Sequence, residues 1–270
     1  MKLYFLMLSL FGTLTSFAQP NETVQPVLAK TSQEAIIEKY TYNGAHKYNY
    51  NIHMKEWQQY LDEGLQQDST IAYLWQQKAM PYFKARKYEV GMVYIDEAVK
   101  FDPKRYQPYR AFIKCIFSKT YQETIDDFED CMKKWGDSFE MDHTYSFYIG
   151  LSYLQLNEFD KAESYFQQSI LKHETAFGEI HHNVLFYYGI TKYEQQKFEE
   201  AITYFDKAIL QYPKFSDAIY YKAISLYKLD RPSEEYTALL EKATKYRKQG
   251  YSLGEANEIY ETYPYQFKSK

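Results

Sequence analysis

A chain of 270 residues is long enough for one large domain or two small ones. With 25% charged and 45% apolar residues it has a globular balance, which excludes a disordered chain, and a net charge of −4 with no basic block argues against a nucleic-acid partner. Tyr is over-represented at 31 residues while Gly (10) and Pro (8) are scarce, which points to long helices joined by short turns.

The first segment, MKLYFLMLSLFGTLTSFAQP, carries one basic residue, Lys2, then an apolar run from Leu3 to Leu14. Ser16 and Ala18 stand where a signal peptidase requires small side chains, so residues 1–18 are expected to be a signal peptide cleaved after Ala18. The run falls short of the roughly 20 apolar residues that span a bilayer. Its ending, TSFAQ, resembles the signal peptides of secreted Bacteroidota proteins. Export places the mature chain in the periplasm or outside the cell, with no later stretch apolar enough to cross a membrane.

Residues 19–37 read as a tether followed by a short helix, opened by the capping-box spacing of Thr31 and Glu34. Residues 38–71 read as a degenerate capping repeat, in which Trp57, Leu61, Gly64 and Leu65 occupy second-helix positions. From Ala72 to Lys248 the chain repeats itself, with expected units at 72–105, 106–142, 143–181, 182–215 and 216–248. The small or apolar anchors of the first helices are Ala79, Ile113, Gly150, Gly189 and Ala223, spaced by 34, 37, 39 and 34 residues. In the unit from 182, Leu185, Tyr188, Gly189 and Lys192 share one helix face, and Ala201, Phe205 and Ala208 form a small-large-small stripe opposite it. One such hairpin cannot bury its apolar face alone, whereas stacked copies can. Residues 249–270 are expected to form a capping helix and tail, with Ser252 and Glu255 as a second capping box and helix to about Tyr263.

These positions carry a family resemblance. Trp75, Ala79, Tyr82, Tyr88, Gly91, Ile95, Ala98 and Pro103 in one unit, and Gly189, Phe198, Ala201, Phe205, Ala208 and Pro213 in another, resemble the tetratricopeptide repeat. The pattern is degenerate around Thr120 to Glu140. The resemblance implies an all-α, right-handed solenoid of helix-turn-helix repeats with a concave inner face that holds peptides or partner helices.

A second stripe on each first helix lies where the family lines its groove. It contains Phe83, Arg110, Lys114, Phe117, Phe147, Phe186, Ile190, Tyr193, Tyr220 and Tyr227, and its leading positions include Thr144, Asn183 and Asp217. Left in water, these rings would form a large apolar patch, so a cover is expected: a partner, a sugar, a second copy, or the chain's own tail. Neighbouring repeats and the N-terminal segment are a further way to bury them. Arg110 and Lys114 could hold a carboxylate such as a peptide C-terminus, or be solvated charges. The basic clamp of chaperone-binding relatives is missing: Gln76, Met80, Phe147, Leu151, Phe186 and Ile190 stand in its slots.

Cys115 and Cys131 fall on the two helices of the degenerate repeat, where they could form a disulfide across the hairpin or remain two buried thiols. His181 and His182, near Glu179, read as a water-exposed helix start rather than a metal site. No phosphate loop, nucleophile elbow, zinc-protease or calcium motif is present, and Glu199, Glu200 and Asp206 read as a solvent face rather than a glycosidase pair. The expectation is therefore a non-catalytic scaffold in the bacterial envelope, with no cofactor, binding a protein or peptide in its groove. Its alternative is a glycan-binding module that uses the groove aromatics.

Overall fold

The computed structural model describes residues 31–268, so the expected signal peptide and residues 19–30 of the tether lie outside the described residues. Thr31 opens α1 (Ser32–Ile37) as a full capping box: its hydroxyl accepts from the Glu34 N–H, and the Glu34 carboxylate accepts from the Thr31 N–H at 2.8 Å. A π turn, Glu38–Tyr42, prolongs this helix, so the first helix of the capping unit ends at Tyr42. It packs on α2 (Met54–Gln67) around Trp57, Leu61 and Leu65.

Five antiparallel pairs follow: α3 (Ala72–Lys84) with α4 (Tyr88–Phe101), α5 (Pro103–Ile113) with α6 (Tyr121–Trp135), α7 (Tyr145–Gln155) with α8 (Phe159–Phe177), α9 (His182–Glu194) with α10 (Phe198–Gln211), and α11 (Ser216–Lys228) with α12 (Ser233–Lys248). Each pair packs on the next, so the odd-numbered helices form one row and the even-numbered helices the other. In the degenerate unit α5 runs into a π turn, Lys114–Ser118. A two-residue ladder, β1 (Phe139–Glu140) with β2 (His143–Thr144), precedes α7, an addition to the expected all-helical chain.

A phenylalanine seated on a glycine sets the distance within three of the pairs. A Cβ added at Gly91 would lie 2.4 Å from the Phe83 ring, one at Gly189 2.7 Å from Phe205, and one at Gly150 3.2 Å from Phe166. The turn between paired helices recurs just as closely. Arg86, Lys119, Asn157, Gln196 and Asp230, one per pair, adopt left-handed backbone with φ of 59°, 58°, 61°, 61° and 51°. Cations on the odd-numbered row then tie pairs together: Lys78 to Asp62 at 2.5 Å, Arg110 to Asp96 at 2.8 Å, Lys192 to Glu163 at 2.6 Å and Lys222 to Asp206 at 2.5 Å, while Arg110 also binds Asp127 within its own pair at 2.6 Å.

Two expectations are overturned. No capping helix follows α12. Gly250, at φ +88°, turns the chain off the helix axis, and the only regular structure in residues 249–268 is a single 3-10 turn, Ala256–Ile259. The capping box fails because both side chains are engaged elsewhere: Ser252 donates to Asp217, and Glu255 accepts from His143 and Asn183. Nor does a disulfide close the degenerate hairpin. Cys115 and Cys131 are separate buried thiols, and Cys115 lies against Tyr148 and Ser152 of α7 rather than facing α6.

Gly189→Ala is expected to cost about 1–3 kcal/mol through overpacking against Phe205. Gly150→Ala, with its looser contact, should be close to neutral because the gain in helix propensity offsets it; urea denaturation of the two variants checks the order. Burial pushes both thiols up to about 12. Iodoacetamide should therefore leave native protein unmodified and add two groups to unreduced, unfolded protein, as read by intact mass. A mass that gains alkyl groups only after reduction would restore the disulfide.

Candidate functional site

The odd-numbered helices line one face of the stack, and that face holds the chain's own C-terminal segment. Leaving α12, residues 251–255 cross the N-terminal ends of α11 and α9 and reach β2. The Tyr251 carbonyl accepts from Ser216 at 2.6 Å, and the Leu253 carbonyl accepts from Asn183 Nδ2 at 3.1 Å with His182 Nε2 equally close. Glu255 sits between His143 Nε2 and Asn183 Nδ2, each at 2.6 Å from Oε1. Beyond the 3-10 turn the segment reaches the turns of the first two full pairs. Arg86 donates to the Tyr260 carbonyl at 2.8 Å, and Arg86, Lys119 and the Tyr88 hydroxyl converge on the Glu261 carboxylate. The chain then returns. Tyr187 donates to the Pro264 carbonyl at 2.9 Å, Tyr265 meets Tyr221, and Phe267 stacks on Tyr220 with ring centroids 4.2 Å apart.

Both ends of this loop meet on one carboxylate. Asp217, fully buried, accepts from Ser252 Oγ at 3.0 Å through one oxygen and from the Phe267 N–H at 2.6 Å through the other. Burial pushes its carboxyl up to about 6, against the pull of these hydrogen bonds. Burial would raise Glu255 as well, but His143 and Asn183 outweigh it and hold that carboxyl below its ordinary value. Beneath the loop two buried polar atoms have no partner, His143 Nδ1 and Asn183 Oδ1. Leaving such an atom unpaired costs about 1–3 kcal/mol.

Most of the expected groove residues lie elsewhere. Phe83, Phe117, Phe147, Phe186 and Ile190 are at most 3% exposed and belong to the core between helices. Phe186 meets Phe205, Phe215 and Tyr221, and Phe147 meets Phe166 and Tyr187. The residue that faces the loop on α9 is the next one, Tyr187, about 100° further round the helix. Tyr193 is wedged between Phe198 and Tyr221, and Tyr227 packs beside Tyr236 at the exposed end of α11. Of the ten, Tyr220 touches the loop. Arg110 and Lys114 are not a carboxylate clamp, because both are committed to Asp127, with Asp96 and Glu123 as second partners.

The residues that do line the groove were partly visible. Asn183 and Asp217 head the stripe on α9 and α11. His143 depends on the ladder, and Arg86 and Lys119 on left-handed turns, neither of which leaves a periodic signal. His181 and His182 are half-buried rather than exposed, and together with Asp142, His173, Phe177 and Glu179 they line a cavity of about 530 Å³. Burial pushes His181 down to about 3 and His173 to about 4. Among the described residues no group of three or more His, Cys, Asp or Glu is placed to hold a metal ion. A second cavity of about 280 Å³, between α3, α5 and the ladder, is lined by Tyr73, Gln76, Arg105, Tyr106, Tyr109 and Glu140. Burial pushes the Glu140 carboxyl up to about 7.

Two tetratricopeptide-repeat family models match the chain, over residues 148–183 and 182–215. Residues 148–215 thus match the tetratricopeptide repeat. No curated protein sequence matches it. Several solved structures share the fold. PilW, a widely conserved type IV pilus biogenesis factor, is 13% identical with a TM-score of 0.59, over 82% of this chain and 93% of its own. A tetratricopeptide repeat protein from Parabacteroides merdae is 13% identical with a TM-score of 0.58, over 84% and 95%. YrrB, described as a TPR protein with an unusual peptide-binding site, is 17% identical with a TM-score of 0.51, over 70% and 92%. At these identities the likeness is one of fold.

The raised carboxyl of Asp217 stabilises the folded chain most at low pH. That contribution is full below the unfolded value near 3.8 and is lost as pH rises through about 6. The depressed His173 and His181 act in the opposite sense, so the wild-type profile alone is mixed. Measured against Asp217→Asn by urea denaturation, wild type should lose about 2 kcal/mol of relative stability between pH 4 and pH 7. A pH-independent difference would show that the Asp217 proton is not linked to folding.

Proposed function

We propose that this tetratricopeptide-repeat chain is a non-catalytic interaction scaffold of the bacterial envelope that receives a peptide or partner-protein segment in its concave groove. The repeat fold supports protein–protein interaction in general. The observation that carries the finer reading is the C-terminal loop: the groove holds an irregular segment through main-chain carbonyls, two carboxylates and aromatic rings. This is the mixture by which a groove binds peptide, with main-chain contacts for affinity and side-chain slots for choice. The signal-peptide pattern of residues 1–18 supports export.

The cavity beside Glu140 favours a second reading. Three tyrosine rings for stacking, with Gln76, Arg105 and a carboxyl pushed toward its neutral form, are groups suited to a saccharide.

A photo-crosslinking residue in place of Tyr220, in the groove, should join one defined envelope protein, while the same residue in place of the exposed Leu210 on α10 should not. Equal labelling from both positions would remove the groove from the mechanism. A saccharide that binds wild type and fails to bind Tyr109→Ala would move the function to the second cavity.

A further inference from the structure

We propose that the loop of residues 251–268 is a displaceable plug, and that the segment replacing it is an acidic, tyrosine-bearing peptide of a partner protein. The inference rests on the groove reading above and adds the chemistry of the ligand and the way access is controlled.

The groove's polar slots are matched to carboxylates. Arg86, Lys119 and the Tyr88 hydroxyl converge on Glu261, while His143 and Asn183 converge on Glu255. Its apolar slots are matched to rings: Tyr220 and Tyr221 receive Phe267 and Tyr265. A segment that competes for this surface needs two acids several residues apart, followed by aromatics.

Leu253 and Tyr263 are buried with the core, but two further features make the loop a plug on the solenoid. The loop's two ends share one anchor, Asp217, so losing that contact frees both together. The fit is also incomplete. His143 Nδ1 and Asn183 Oδ1 lie buried and unpartnered beneath it, while Gly254, Ala256 and Ile259 stand out into solvent. A ligand that pairs those two atoms gains contacts the loop does not make.

The test uses the full chain and a fluorescent synthetic peptide with the sequence of residues 250–268. The double variant Glu255→Gln/Phe267→Ala weakens the loop and leaves every groove residue in place. It should bind the peptide at least 10-fold more tightly than wild type does, and a peptide with both Glu255 and Glu261 replaced by Gln should lose that binding. Equal affinity for wild type and variant overturns the plug. So does a variant that dimerises by exchanging tails instead of taking up peptide.

Hydrogen exchange on wild type gives an answer even if the variant fails to fold. Amides of residues 252–267 should exchange at least 100-fold faster than those of α9, through local opening. Protection equal to that of α9 would make the loop a fixed part of the core. The groove reading fails separately: a partner crosslinked at Tyr220 with a loop that never opens keeps the scaffold and sinks the plug. Peptide uptake with no partner captured does the reverse.

Discussion

The contact of a phenylalanine ring with a glycine backbone is the constraint on which the other features of this chain rest. At Gly91, Gly150 and Gly189 the ring occupies the space a side chain would take, so two helices approach more closely than ordinary side chains permit. The pairs so closed then stack on one another, and their odd-numbered helices fall into a row. Without that row, Asn183 and Asp217, the leading residues of α9 and α11, would not present themselves to a single segment of chain. The inter-row cations, Lys78, Arg110, Lys192 and Lys222, serve the same alignment and are consumed by it.

The groove that results is a surface of amphipathic tyrosines over a core of phenylalanines. This division has a physical basis. Phenyl rings have no polar group to satisfy and can be enclosed between helices. Tyrosines can close a surface that is wet in one state and covered in another, because the hydroxyl finds either water or a main-chain carbonyl. Tyr187, buried and donating to Pro264, is the covered half of that behaviour.

The frame was legible in the sequence because it is periodic. The anchors at Ala79, Gly150 and Gly189, and the stripe of Ala201, Phe205 and Ala208, report helix pairing directly. The inner stripe falls one residue out of phase on α9: Phe186 is expected in the groove and Tyr187 is found there. Both residues are large and aromatic, so hydrophobic periodicity cannot separate them, and only the crossing geometry of the helices does. The tail departs from its expected helix for a different reason. Ser252 and Glu255 have capping-box spacing, and local propensity favours a helix. Long-range partners 35 residues away or more, Asp217 among them, offer the same two side chains stronger hydrogen bonds. Neither the ladder that positions His143 nor the left-handed turns that position Arg86 and Lys119 has a repeat signature, so the cationic half of the site is not legible in the sequence.

Those left-handed turns set up a conflict within single residues. The backbone at Arg86 and Lys119 occupies a region that glycine enters freely and that costs other residues about 1–2 kcal/mol. Glycine at either position would relax its hairpin, yet it would also delete a cation that grips Glu261. Sturdiness of the solenoid and closure of its groove are therefore opposed demands on the same two side chains. A chain selected only for thermal endurance would drift toward glycine at both turns and leave its groove open, whereas one that keeps the cations accepts strained hairpins in exchange for a tail that stays in place.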